Sequence, residues 1–329
     1  MTLSAAWQRA LVCLALAGCC SESYAQTQTS VGVPGRGAGS FSVTAEHVSV
    51  TEGKISQGGE TIYRNNAYGE IAYRNLFFEF DYGLTDRLAL TATLPLSSNR
   101  YSGTDPHRLD WLLYDHGEEP LDDGNYHTYW TDLGIGVRWA WRTSSRLAVT
   151  PFASFYTPTN NYPLYGLSQP ARGQARLDMG LNASGRIGDP RLNLYWKAGY
   201  AFSYVEETKP IDAPPARVNR SRMMVEVGWR ATPSIAPFLV FTNTQAHNAV
   251  DILEIQGLYI SDQWYYHDQI LPWEQTSWTA GVGYQLNDRM GLSFGYSRSS
   301  KVEFGFFLEP AVSIGFSYGF ARSESGGRR

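Results

Sequence analysis

Val312-Ser313-Ile314-Gly315-Phe316-Ser317-Tyr318-Gly319-Phe320 alternates a large apolar residue with glycine or serine along its whole length. Successive side chains of a strand point to opposite faces, so one face is all Val, Ile, Phe and Tyr and the other is nearly bare. A soluble sheet puts charge on its wet face. An apolar face backed by Gly and Ser is instead the pattern of a membrane-crossing barrel strand, with lipid on one side and the lumen on the other.

The same alternation recurs upstream. Leu88, Leu90, Ala92, Leu94 and Leu96 share a face, as do Leu133, Ile135, Val137, Trp139 and Trp141. So do Leu192, Leu194, Trp196, Ala198, Tyr200, Phe202 and Tyr204, and Trp278, Ala280, Val282, Tyr284 and Leu286. Short polar turns join such segments at Leu84 to Leu88, Arg142 to Leu147, Ile187 to Leu192, Thr232 to Ile235 and Leu286 to Met290. Five tight turns alternate with six longer polar stretches. They predict twelve strands near residues 40–51, 69–83, 87–99, 128–142, 146–157, 174–187, 191–205, 220–231, 235–247, 276–286, 290–300 and 307–320.

The fold class expected is therefore all-β: an antiparallel up-and-down transmembrane barrel with long extracellular loops. Closure is obligatory, because each unpaired backbone polar group in hydrocarbon costs several kcal/mol. An even strand number returns both termini to one side, so tight turns mark the periplasmic rim and long loops the exterior. Tyr82, Trp139, Trp141, Trp229 and Tyr318 fall near turn ends, where a headgroup-level aromatic girdle belongs.

Composition agrees. Of 329 residues 43% are hydrophobic and 18% charged, which excludes a disordered chain. A formal charge of -4 with no long basic run argues against nucleic acid as a partner. Arg9 followed by the apolar run Ala10 to Ala17 reads as a secretory signal, too short to span a bilayer as a helix. Ser23-Tyr24-Ala25 offers a cleavage site, giving residues 1–25 as a cleaved signal and a mature chain without cysteine, suited to an oxidising periplasm. Leu16-Ala17-Gly18-Cys19 keeps open a lipidated Cys19. Residues 26–39 read as a flexible segment, 40–320 as the outer-membrane barrel and 321–329 as a polar periplasmic tail. The last strand, ending at Phe320, suits recognition by the barrel assembly machinery, and outer-membrane lipid is the other expected partner.

In phase with Gly, Ser and Asn on the inward face stand Glu79, Asp81, Asp132, Arg138, Arg142, Asp178, Arg186, Lys197, Arg222, Glu226 and Arg230. A charge on the lipid face near the midplane costs about 2 to 4 kcal/mol for Arg or Lys, so these are expected to line the lumen. Paired, they would plug a narrow barrel; solvated, they would line a polar channel with acidic and basic sides. Twelve strands lie between the filled eight and the open sixteen. The loop from Thr104 to His127 is acidic, and that from Ala249 to Glu274 is acidic and aromatic. Loops this acidic are ordinarily solvated surface; the functional alternative is a loop platform of Tyr259, Trp264, Tyr265, Tyr266 and Trp273 from the second, which captures an apolar or aromatic solute.

His47-Val48-Ser49 resembles the His-x-Ser pair of outer-membrane phospholipase A and lipid A deacylases, but Val50-Thr51-Glu52-Gly53 lacks the Asn-Gly that follows there. The pairing reads as chance, so no enzyme is expected. The histidines lack metal-ligand spacing, and neither metal nor cofactor is expected.

Tyr82-Gly83-Leu84-Thr85-Asp86-Arg87-Leu88, Leu94-Pro95-Leu96, Asp132-Leu133-Gly134-Ile135-Gly136-Val137-Arg138-Trp139 and Phe155-Tyr156-Thr157-Pro158-Thr159 follow one another in the chain. Together they resemble the transporter family associated with the meta-cleavage pathway of phenol degradation. The resemblance covers roughly residues 65 to 320; Thr131 stands where that family has Gly before Asp, and Thr159 replaces its usual Gly. It implies an outer-membrane protein passing apolar or aromatic compounds, and carries over no site residues. The expected function is a passive channel or uptake porin for small solutes. The alternatives are a barrel binding a partner through its acidic and aromatic loops, or a lipid-modifying enzyme.

Overall fold

The computed structural model describes residues 32–57, 60–65, 69–103, 119–144, 147–250, 265–303, 305–307 and 310–320. Its barrel strands are β1 Gly39–Val50, β2 Glu70–Gly83, β3 Leu88–Ser102, β4 in two pieces His127–Trp130 and Asp132–Trp139, β5 Leu147–Pro158 and β6 Arg176–Arg186. There follow β7 Leu194–Val205, β8 Asn219–Trp229, β9 Ile235–His247, β10 Glu274–Gln285, β11 Met290–Glu303 and β12 Ala311–Phe320. Each pairs antiparallel with its sequence neighbours. β12 pairs with β1 from Gly39↔Phe320 to His47↔Val312, which closes the ring and leaves the barrel sheet without an edge. Among the described residues no helix is long and apolar enough to cross a membrane.

All twelve strands lie where the alternation placed them, give or take a few residues. The fourth differs most. Its ladder breaks at Thr131, whose amide donates to Pro95 O (3.0 Å) and whose carbonyl accepts from the Thr159 amide (3.1 Å). It ends at Trp139, and only the pair Arg142–Thr143 resumes pairing with β5. The last strand starts at Ala311 and not at 307: Gly305–Phe307 pairs with Glu52–Gln57, which pairs with Glu60–Asn65, in a separate three-stranded sheet. Those residues read as loop because Ser56, Gln57 and Glu60 interrupt any apolar alternation. Nor is the segment before β1 wholly loose. The Gly37 amide donates to Gly83 O (2.8 Å) and the Arg36 amide to Asp86 Oδ1 (3.1 Å), docking it on the β2–β3 turn.

The barrel is apolar outside and polar inside. Ile135 and Tyr200 are each 52% exposed on the outer surface, whereas Arg138, between Val137 and Trp139 in sequence, is 0% exposed. That inversion of the soluble pattern is what a lipid solvent demands. Trp139, Trp141, Trp229 and Tyr318 are all exposed at the turn ends of the outer face.

Inward rings lie flat on glycines directly across the ladder. Tyr156 faces Gly134, and a Cβ there would come within 2.3 Å of its ring; Tyr195 does the same to Gly228, at 2.2 Å. Phe152 opposite Gly180 and Phe238 opposite Gly281 repeat the arrangement. Large aromatic side chains are thus held against the wall and out of the barrel axis.

Candidate pore and the loops at its mouth

The inward face carries the charges in opposed groups. On β2 the Asp81 carboxylate meets Arg138 of β4 at 2.6 Å, and Glu79 accepts from Ser42 Oγ at 3.1 Å. Glu46 of β1 accepts from Asn75 Nδ2, and Asn75 Oδ1 accepts from Ser97 Oγ at 2.6 Å. On the far wall Lys197 pairs with Glu226 at 2.9 Å, and Arg186 and Arg230 join it around a cavity of about 400 Å³ at the periplasmic end. Nearer the exterior, Asp132 accepts from Arg176 (2.9 Å) and Tyr162 (2.6 Å), while Arg176 Nε lies 3.5 Å from Asp178 and its guanidinium 4.1 Å over the Tyr156 ring. Arg222 stands beside this group. The Arg142 side chain lies outside the described residues. β1 and β2 therefore form an acidic wall, and β6, β7 and β8 a mainly basic one.

Among the described residues, Glu46, Arg172, Arg176 and Arg220 are inward charges that escaped the sequence reading. Glu46 is in phase with Ser42 and Thr44, Arg176 with Asp178, and Arg220 with Arg222, so extending each alternation by one step finds three of them. Arg172 lies in a loop, where no period exists.

The loops are not the solvated surface that their acidity suggests. Residues 159–175, between β5 and β6, cross the lumen to the opposite wall. Leu167 packs there with Val48, Val50, Ile71, Tyr73, Tyr101 and Ala311, and its carbonyl accepts from Tyr73 Oη at 3.3 Å. Asn99 Nδ2 donates to Gln169 O at 3.1 Å. Asp122, from the loop before β4, holds the crossing by accepting from the amides of Leu167 (2.9 Å) and Ser168 (3.1 Å) and from Ser168 Oγ (2.8 Å).

From the β9–β10 connection a one-turn helix, α1 His267–Ile270, docks on the same segment. Gln269 Nε2 donates to Arg172 O (2.6 Å) and its Oε1 accepts from Thr208 Oγ1 (2.9 Å), while Gln169 donates to Asp268 (2.8 Å). Tyr265, expected on a surface platform, is buried and stacks on Tyr165 at 6.0 Å; Tyr266 meets it edge-on at 4.7 Å. Trp273 lies under Arg172, 5.6 Å away. Tyr259 and Trp264 lie outside the described residues. Most of these contacts join partners nearly a hundred residues apart in the chain, and no local pattern could announce them.

At the outer rim Asp123 is partly buried, which raises its pKa, but hydrogen bonds from Asn125 and His127 outweigh that and lower it to about 2. His47 and Ser49 sit on the outer face of β1; His47 is exposed and Ser49 Oγ donates to Glu70 at 2.6 Å.

No family model matches the chain, and no curated protein matches it. Solved structures do. The crystal structure of an outer membrane channel from Pseudomonas putida F1 superposes with a TM-score of 0.65 at 13% identity, over 88% of this chain and 98% of that one. The NanC porin (TM-score 0.47, 10% identity, 84% and 98% covered) and the CymD monoaromatic hydrocarbon channel (0.42, 10%, 87% and 90%) are more distant. At such identities the likeness is one of fold: this chain has the barrel of an outer-membrane channel.

Proposed function

We propose that the protein is a bacterial outer-membrane channel that takes up small solutes, apolar or aromatic ones among them. The observation that carries this reading is a closed barrel, apolar outside and polar inside, whose extracellular mouth is narrowed by its own loop 159–175. A purely structural barrel has no use for a wall-to-wall crossing strap held by side-chain hydrogen bonds; a channel that admits solutes selectively does. The resemblance to the phenol meta-pathway transporter family, and the rings of Tyr165, Tyr265, Tyr266 and Trp273 at the mouth, support aromatic solutes. The same reading takes the exposed apolar belt as the contact with outer-membrane lipid and the strand ending at Phe320 as the mark read by the assembly machinery. It assigns no catalysis, since Ser49 is engaged by Glu70 and His47 points away from the lumen.

Purified protein in planar bilayers, with phenol and glucose flux into liposomes measured alongside, tests it. Ion current together with phenol flux above that of empty liposomes is expected. Absence of both, in wild type and in protein lacking the strap, would overturn the reading.

A further inference from the structure

We propose that the extracellular mouth contains a binding site for the carboxylate of a small aromatic acid, formed by Arg172, Arg176, Arg220 and Arg222. It rests on the channel reading and narrows its substrate class. These residues reach one cavity from the strap, β6 and β8, together with Asp132 and Asp178, so its lining has four formal positive charges against two negative. An excess of cations on a buried surface favours an anion, and the planar guanidinium fork matches the two oxygens of a carboxylate.

Size and surroundings select the class. The cavity holds about 60 Å³. That suffices for a carboxylate and is well short of the ~150 Å³ in which a benzene molecule is accommodated. The body of the ligand must therefore lie outside it, against the strap. Trp273 lies 5.6 Å from the Arg172 guanidinium, so an aromatic ring projecting from a carboxylate at Arg172 has an apolar face beside it. The acidic wall across the lumen, with Glu46, Glu79 and Asp81, repels an anion and keeps it on the basic side. Strap and basic wall together then make a selective vestibule.

The test uses the full-length barrel in detergent, with benzoate as probe and benzamide and inorganic phosphate as its uncharged and non-aromatic counterparts. Benzoate is expected to change tryptophan fluorescence saturably and to reduce chloride current in bilayers. Its affinity should fall at least tenfold in R220Q/R222Q and stay unchanged in R186Q/R230Q at the periplasmic end, while benzamide has no effect. If R220Q/R222Q loses the heat-dependent gel shift of a folded barrel, R172Q, whose change lies in the strap, carries the same comparison. Equal binding of benzamide, displacement of benzoate by equimolar phosphate, or unaltered benzoate affinity in the folded arginine variants would overturn the site. Charge-dependent benzoate binding by a barrel that passes no current would leave the site standing and remove the channel reading.

Discussion

The two ends of the lumen are built differently. Toward the periplasm the side of the wall made by β1, β2, β3, β11 and β12 is lined by short side chains, Ser40, Ser42, Thr44, Thr91, Ser293, Gly315 and Ser317, around a cavity of about 300 Å³ whose lining carries Glu79 and Asp81. Toward the exterior the same barrel is crossed by residues 159–175 and α1, and the inward face carries Asp132, Arg176, Asp178, Arg220 and Arg222. That side of the periplasmic end is kept open by small residues; the outer end is filled by loops that no strand needs for its pairing. On the channel reading proposed above, passage would be controlled where the filling is removable, at the mouth, while the ladder itself stays fixed.

Removing the strap breaks the comparison most directly. Replacing residues 160–173 by a short Gly-Ser turn leaves the β5–β6 ladder intact and should raise single-channel conductance about tenfold, because the wall of a twelve-stranded barrel is wider than one filled by side chains. Conductance unchanged from wild type would place the constriction elsewhere.

Next in size is Arg138→Gln. It leaves the Asp81 carboxylate without its 2.6 Å partner in a buried setting and should lower barrel stability by about 3 kcal/mol, read as the temperature at which the heat-dependent gel shift is lost. Loop dynamics should be spared. Wild-type melting in this variant would mean that the periplasmic half does not depend on the pair.

Asp122→Ala acts on the other half alone. Loss of three hydrogen bonds to Leu167 and Ser168 should weaken the seat of the strap by about 1 to 3 kcal/mol, appearing as more frequent or longer openings with the melting temperature little changed. A gating record like that of wild type would show that Leu167 packing suffices.

The smallest effect is that of pH on Asp123. Its pKa falls on folding from the ordinary value near 4 to about 2, so its contribution is complete above about pH 4 and is lost as pH drops through about 2. Contact with water keeps it below about 1 kcal/mol. The melting temperature should fall slightly between about pH 4 and 2, and Asp123→Asn should abolish its share of that change.

The ladder was legible in sequence because lipid imposes period two on the outer face, and a polar residue out of phase there, as at Val137, Arg138 and Trp139, marks the wall side unmistakably. Phase put Asp81 and Arg138, on different strands, on the inward face, but the reading stopped short of Glu46, Arg176 and Arg220. What phase could not give was the pairing between strands or the destination of the loops. Leu167 reads as an ordinary loop residue; only the pocket made by Val48, Tyr73 and Tyr101 explains it. Acidity was misleading for the same reason. Asp122 and Asp268 look like solvated loop charge, yet both accept hydrogen bonds that hold the strap.

The ring-on-glycine pairs bear on how the barrel is assembled. A strand that slips must move by two residues to keep its faces, and each such slip takes a ring off its glycine. Phe152 would then meet Asp178 or Asn182 in place of Gly180, and Tyr195 would meet Glu226 or Arg230 in place of Gly228. Neither alternative leaves room for the ring beside the wall. A slipped register would thus cost a ring-to-wall contact at each of these pairs, a penalty that a periodic coat of interchangeable apolar residues facing lipid does not impose.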